Sequence, residues 1–141
     1  MAKFPVSLKA RLLLIDRGKI LLLEQTKPNG GNFTMVGGTI EAKEFAKTTL
    51  IRESFEEAGV VLKKEDLQLI HVLHKRSKKA HRIVLYFKAH NWKGHLESKE
   101  QKKFKSADWH NVNDLPDKLT GTVKQVIKCY RQGKLYSEME K

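Results

Sequence analysis

Apolar residues gather in short runs along the chain, and the runs set out its elements. Val6 to Ile15 and Ile20 to Gln25 are apolar and β-prone, with Asp16-Arg17-Gly18-Lys19 between them as a hairpin turn. The stretch KPNGGN, with Pro28, Gly30 and Gly31, reads as a loop. Phe33 to Val36 is a short strand that ends at Gly37-Gly38. Glu44 to Ala58 has neither Gly nor Pro, is rich in helix formers, and is followed by Gly59 where a C-terminal cap belongs. Asp66 to Lys75 and His81 to Ala89 read as strands joined by the turn SKKA. Ala107 to Val112 is a further strand, broken by Asn113-Asp114-Leu115-Pro116. Val123, Val126, Ile127 and Tyr130 recur at helical spacing, and Gly133 closes that helix. The order β-β-β-α-β-β-β-α predicts an α/β fold, a mixed β-sheet with helices packed against it in α/β/α layers. No repeat, low-complexity segment or linker interrupts it, so residues 1–141 read as a single domain with enough chain for one core.

Charge changes this picture. Lys and Arg number 28 against 16 Asp and Glu, a net +12 that points to anionic partners such as nucleotides, nucleic acid or a membrane surface. A solvated surface accounts for the same surplus. With 40% apolar and 31% charged residues, the composition excludes a disordered chain. Cys129 is the sole cysteine, so no internal disulfide forms. The first residues carry no targeting pattern, and the apolar stretch Leu12 to Ile15 is far too short to span a bilayer. The expected location is cytoplasmic, without a membrane partner, as a monomer or homodimer.

Against this positive background, Glu53, Glu56 and Glu57 crowd into one helical turn. Like charges at these spacings weaken an isolated helix. All three carboxylates can point at one small volume, where a hard divalent cation is the natural counter-charge. An ordinary solvated helix face is the alternative on geometry alone. The neighbouring glycines give the backbone room to approach the same volume.

The stretch GGTIEAKEFAKTTLIRESFEEAGV resembles the Nudix (MutT-like) hydrolase box, G-x5-E-x7-R-E-U-x-E-E-x-G-U, with U a bulky aliphatic. Gly38, Glu44, Arg52, Glu53, Glu56, Glu57 and Gly59 occupy its fixed positions and Val60 its last U. Ser54 departs from the pattern, standing where the first U packs beneath the helix. FTMVGG resembles the family's entry to the box, with Val36 for the usual Pro, and ADWHNVNDLP resembles its later tryptophan strand.

The resemblance implies a Nudix-type α/β/α sandwich and Mg²⁺-dependent hydrolysis of a nucleoside diphosphate linked to another group, with Mn²⁺ as a possible substitute. It makes Gly38, Glu53, Glu56 and Glu57 metal ligands. Glu53 is also the candidate for positioning the attacking water, and Glu44 and Arg52 pair to orient the loop against the helix. Family members often add a distant carboxylate, for which Glu100 is preferred over Glu97. Phe33, Tyr86 and Trp109 can stack on a base or serve the core, and Lys27 and Arg11 can reach phosphates or merely face water. The basic run His74 to Arg82 reads as a solvated hairpin tip, with nucleic-acid contact as the alternative.

By the same resemblance, the tyrosine that diadenosine polyphosphate members carry is absent near Lys78, and the proline that ADP-ribose members tend to carry is absent near Arg76. The extra motifs of coenzyme A and NADH members are missing as well, and within the family the chain resembles the small single-domain form typical of nucleoside triphosphate pyrophosphatases. ADP-ribose or sugar-nucleotide hydrolysis, and a non-catalytic nucleotide- or RNA-binding module, stay as alternatives.

Overall fold

Leu12, Leu13 and Leu14, and Ile20 through Leu23, are almost wholly buried, so the two N-terminal strands are covered on both faces. A continuous apolar run of this kind suits a sheet sandwiched between layers rather than one facing water. The computed structural model, which describes residues 3–141, contains that sandwich.

Fifteen short elements make it up. The strands are β1 (Val6–Leu13), β2 (Ile15–Asp16), β3 (Lys19–Gln25), β4 (Phe33–Thr34), β5 (Gly37–Thr39), β6 (Val60–Val61), β7 (Leu67–Arg76), β8 (His81–Ala89), β9 (Lys93–Gly94), β10 (Phe104–Asn111) and β11 (Tyr136–Glu140). The α-helices are α1 (Ala46–Ala58) and α2 (Gly121–Arg131), and two single 3₁₀ turns complete the set. One mixed sheet runs β11-β7-β8-β1-β5, with β1 parallel to β8 and β11 parallel to β7. A second, antiparallel sheet runs β10-β3-β2, with β4 against β3. On one side Leu50 and Ala58 of α1 cover Ala10, Leu12 and Leu23; on the other, Val123, Val126 and Ile127 of α2 cover Leu13, Leu22, Val84 and Tyr86.

Several boundaries differ from the sequence reading, each for a local reason. The first run divides after Leu13, where the chain leaves the mixed sheet for the antiparallel one. Arg17 and Gly18 both take positive φ (52° and 76°), the requirement of the tight hairpin turn that follows. The Phe33 to Val36 strand shortens to β4, and pairing resumes at β5, because Met35 and Val36 drop their side chains into the core. The helix begins at Ala46 rather than Glu44, since the Glu44 carboxylate is engaged by the loop N–H of Glu41 and by the Thr49 hydroxyl. β10 begins at Phe104 through an irregularity in its pairing with β3.

The reading missed β11 altogether. Its sequence YSEME is polar and short, and tertiary contacts hold it rather than hydrophobicity. Buried His71 on β7 does much of the fastening. Its Nδ1 lies 2.8 Å from the Lys134 carbonyl and its Nε2 2.8 Å from the Ser137 hydroxyl. A carbonyl can only accept, so Nδ1 carries a proton and donates it.

Candidate active site

The box folds around three pieces of backbone: β5, the loop that follows it, and α1. Gly37 sits at φ 148°, and a Cβ there would fall on the Ala10 carbonyl of β1, so only glycine lets β5 pair so closely. Beside it, a Cβ on Gly38 would come within 2.8 Å of the Glu53 carboxyl carbon. The glycine pair thus brings bare backbone against the carboxylates of α1.

Those carboxylates fall into two sets. On the outer side, Arg52 donates from Nε to Glu44 Oε2 at 2.8 Å and from Nη2 to Glu44 Oε1 at 3.0 Å, a two-pronged pair. The guanidinium holds the Glu44 carboxyl down at about 2, with the Thr49 hydroxyl helping. Arg52 Nη1 also reaches Glu56 at 3.3 Å, and Glu56 stays 48% exposed at the rim.

On the inner side, Glu57 is only 1% exposed and accepts the Gly37 N–H at 2.9 Å. Burial pushes its carboxyl well above the usual carboxylate range. The Gly37 N–H opposes that shift, adjacent Glu53 adds to it, and Arg11 draws it back down. Glu53 meets Arg52 Nη1 at 2.7 Å while facing the same cleft as Glu57.

That cleft, about 350 Å³, is lined by Glu53, Glu57, Gly37 and Gly38 on one wall and by Lys9, Arg11 and Lys103 on the other, with Gln25, Asn29, Thr34, Thr39, Glu41 and Phe104 between. Lys9 is half-buried among cations, and its ammonium is pulled down to about 8, by burial first and then by Arg11, Arg82 and Lys103. A second cavity of about 210 Å³ continues from Lys9 and Arg11 toward α2. Met35, Val84, Tyr86 and Val123 give it apolar walls, and Thr34, Thr120 and Thr122 line it with hydroxyl-bearing side chains. Burial raises the Tyr86 hydroxyl to about 12, so it stays neutral there.

Among the described residues, no three His, Cys, Asp or Glu side chains form a ready-made metal cage. Mg²⁺ rarely has one, being held by one or two carboxylates together with substrate phosphates. Two adjacent hard-oxygen donors, one of them shifted toward its protonated form chiefly by burial, fit such an ion.

The remaining expected residues are dispersed. Arg11 lines both cavities and donates to the Met35 carbonyl at 3.1 Å. Tyr86 lines the second cavity through a wall of the core. Phe33 packs on the core edge-on to His110, and Trp109 packs against the other core cluster with Trp92, ring centres 5.7 Å apart; neither ring lines either of these two cavities. Lys27 is exposed on a 3₁₀ turn outside both cavities. Glu97 and Glu100 lie outside the cleft, although the Glu100 carbonyl anchors the turn that delivers Lys103 and Phe104 to it, at 2.9 and 2.8 Å. The sequence reading missed Lys9 and Lys103. Lys9 had a signal, because it alternates with Arg11 on one face of a strand whose neighbours are apolar. Lys103, in a loop among other lysines, had none.

The NUDIX domain model matches residues 7–130, and the chain belongs to the Nudix hydrolase family. An ADP-ribose pyrophosphatase of Methanocaldococcus jannaschii is 30% identical over 117 residues, 82% of this chain and 68% of that one. The fold is shared with a MutT Nudix hydrolase from Burkholderia pseudomallei (TM-score 0.79, 22% identity, 87% of this chain and 96% of that one). It is also shared with an ADP-ribose pyrophosphatase from Streptococcus suis (TM-score 0.62, 16% identity, 96% and 98%). Among the described residues, no helix is long and apolar enough to cross a membrane.

Proposed function

We propose that this Nudix hydrolase cleaves a phosphoanhydride bond of a nucleoside triphosphate, releasing a nucleoside monophosphate and pyrophosphate. The observation that carries the reading is a single cleft with Glu53 and buried Glu57 on one wall and, on the other, Lys9, Arg11 and Lys103, which have no ion-pair partner among the described residues. Lys9, Arg11 and Lys103 bind phosphate oxygens, and the cavity bounded by Met35, Val84, Tyr86 and Val123 receives the nucleoside. Gly38, Glu53, Glu56 and Glu57 are the proposed holders of Mg²⁺, or of Mn²⁺ in its place, with Glu100 as a further carboxylate from the adjoining loop. When bound, the ion supplies charge neutralisation of the diphosphate and acidification of water. Glu53 orients the attacking water and takes its proton, while Arg52, anchored by Glu44, fixes the Glu53 carboxylate in place. Water oxygen adds to phosphorus, the bridging P–O bond breaks, and pyrophosphate leaves with that electron pair.

The test is turnover of a broad nucleotide panel with Mg²⁺, read by mass spectrometry. Nucleoside monophosphate and pyrophosphate from a triphosphate are the expected products. A second reading, cleavage of ADP-ribose, is favoured by the name of the 30% identical relative. It is opposed by the lack of any proline between Pro28 and Pro116. Turnover of ADP-ribose with triphosphates left intact would establish it instead.

A further inference from the structure

The cation wall of the cleft does not stop at the phosphate end. Ser7, Lys9 and Arg11 alternate along β1, so their side chains share one face of the mixed sheet. On β8 their register partners are Arg82, Val84 and Tyr86. Arg82 in turn stands directly opposite Lys75 of β7. Like charges in directly opposed positions destabilise a sheet. The nearest acids cannot relieve this pair. Glu138 and Glu140 register with His74 and Arg76, which places them on the opposite face, and Glu140 meets Arg76 at 3.2 Å. Among the described residues, neither Lys75 nor Arg82 has a carboxylate within ion-pair distance, and the polar contact of the Lys75 ammonium is the Thr122 hydroxyl at 3.4 Å.

Lys75 and Arg82 join two cavities. They close the far end of the nucleoside cavity, and they line a separate hollow of about 180 Å³ with Ser7, Ser77, His81 and Lys141. The Lys75 ammonium is shifted downward by burial and by the charges of Arg82 and Lys141, as expected of cations gathered without an anion. Adjacent members of the β1 series lie two residues apart, roughly 7 Å along the strand, so the row of Ser7 and Arg82 lies one such step beyond the row of Lys9.

We infer that Lys75 and Arg82 form a second anion site, one that takes a phosphate group carried by the substrate on the far side of its nucleoside from the scissile phosphoanhydride. The inference rests on the nucleotide reading of the cleft. The group is either a phosphomonoester on the ribose or the phosphodiester of a following nucleotide, and both present the same oxygens to the two cations.

Binding in EDTA separates this site from catalysis, because no turnover is needed to observe it. The probes are a nucleoside 5′-monophosphate, its 3′,5′-bisphosphate and the 5′-phosphorylated dinucleotide, in adenine and guanine series, titrated calorimetrically into the full chain. At least one of the two doubly phosphorylated probes should bind about tenfold more tightly than the monophosphate, the scale of one charge-assisted hydrogen bond. Which one gains identifies the source of the phosphate. In Lys75→Met/Arg82→Gln that ratio should fall to about one. Arg82→Gln alone, at an exposed position, should lower it partway and serves if the double variant fails to fold. Equal binding of all probes, absence of binding by any, or a ratio that survives the substitutions overturns the second site. Failure of the triphosphate panel with a phosphate-dependent binding ratio intact would instead remove the proposed reaction and leave the site standing.

Discussion

Glu44 and Glu57 come from the same stretch of sequence and sit in opposite electrostatic worlds. Outside the helix, a guanidinium grips Glu44 with two parallel hydrogen bonds and holds its carboxyl ionised down to about 2. Inside, Glu57 has a backbone N–H, a neighbouring carboxylate and almost no solvent, and its carboxyl is pushed the other way. The difference separates two tasks that the motif alone presents as one row of acids. The outer set is already satisfied and rigid. In the inner set Glu53 already has Arg52, and it is buried Glu57 that has no cation within ion-pair distance among the described residues.

Substitution at the inner set gives the strongest test. Glu57→Gln should reduce turnover at least about a hundredfold, the size of a lost major electrostatic or metal contribution. Its melting temperature in EDTA should hold level or rise, because an acid under desolvation stress has been replaced by a neutral isostere. Glu56→Gln, at the exposed rim, should lose only about tenfold. Equal losses at both positions would erase the division between inner and outer carboxylates.

Titration of the metal-free protein reads the same contrast by sign. Glu57 has a folded pKa above its unfolded value, so the native state keeps a proton that the unfolded chain has released. Its contribution to stability is full below the ordinary carboxylate range, roughly pH 4.3, and is lost as pH rises through the raised value. Glu44 is depressed, so its contribution is present above that range and disappears as pH falls through about 2. Melting temperature in EDTA should therefore decline from pH 5 toward pH 9, and Glu57→Gln should flatten the decline. An unchanged slope in the variant would show that Glu57 is not the group responsible.

Arg52→Lys probes the outer knot. It preserves charge and removes the planar fork, which a lysine cannot replace. A fall in melting temperature of roughly 3 °C is expected, together with a lower kcat at nearly constant KM as Glu53 loses its support. A change confined to KM would place Arg52 in substrate binding instead.

Beneath both sets lies Ser54, fully buried, with a hydroxyl that finds no hydrogen-bond partner among the described residues. Ser54→Ala removes an unsatisfied polar atom and should raise the melting temperature by roughly 2 °C without altering turnover, the smallest effect of the series. A drop would reveal a hidden partner for the hydroxyl.

Sequence carried the site's chemistry further than its architecture. The spacing from Gly38 to Gly59 placed the carboxylates on α1, and the apolar period of Val123, Val126 and Ile127 placed α2 on its sheet. It could not show that Arg52 would draw Glu56 outward while Gly37 drew Glu57 in. Helical angles alone put all three acids near one volume, and only the hydrogen bonds divide them. Phe33 and Trp109 could stack on a base but read more readily as core residues, and packing sets them against the two core clusters, off both cavities of the site. β11 escaped because a strand formed by parallel pairing and a histidine clamp leaves no periodic apolar trace.

That last strand also bears on how the molecule meets its own copies. Without it, the half of β7 from Val72 to Arg76 would offer an open row of backbone donors and acceptors, the template from which sheets grow into fibres. Five residues with a glutamate at every second position from Glu138 now stand at that border. A neighbouring molecule approaching antiparallel about Glu138 would bring carboxylate against carboxylate. Like charges set directly opposite each other oppose such pairing, although Glu140 is already met by Arg76 at 3.2 Å.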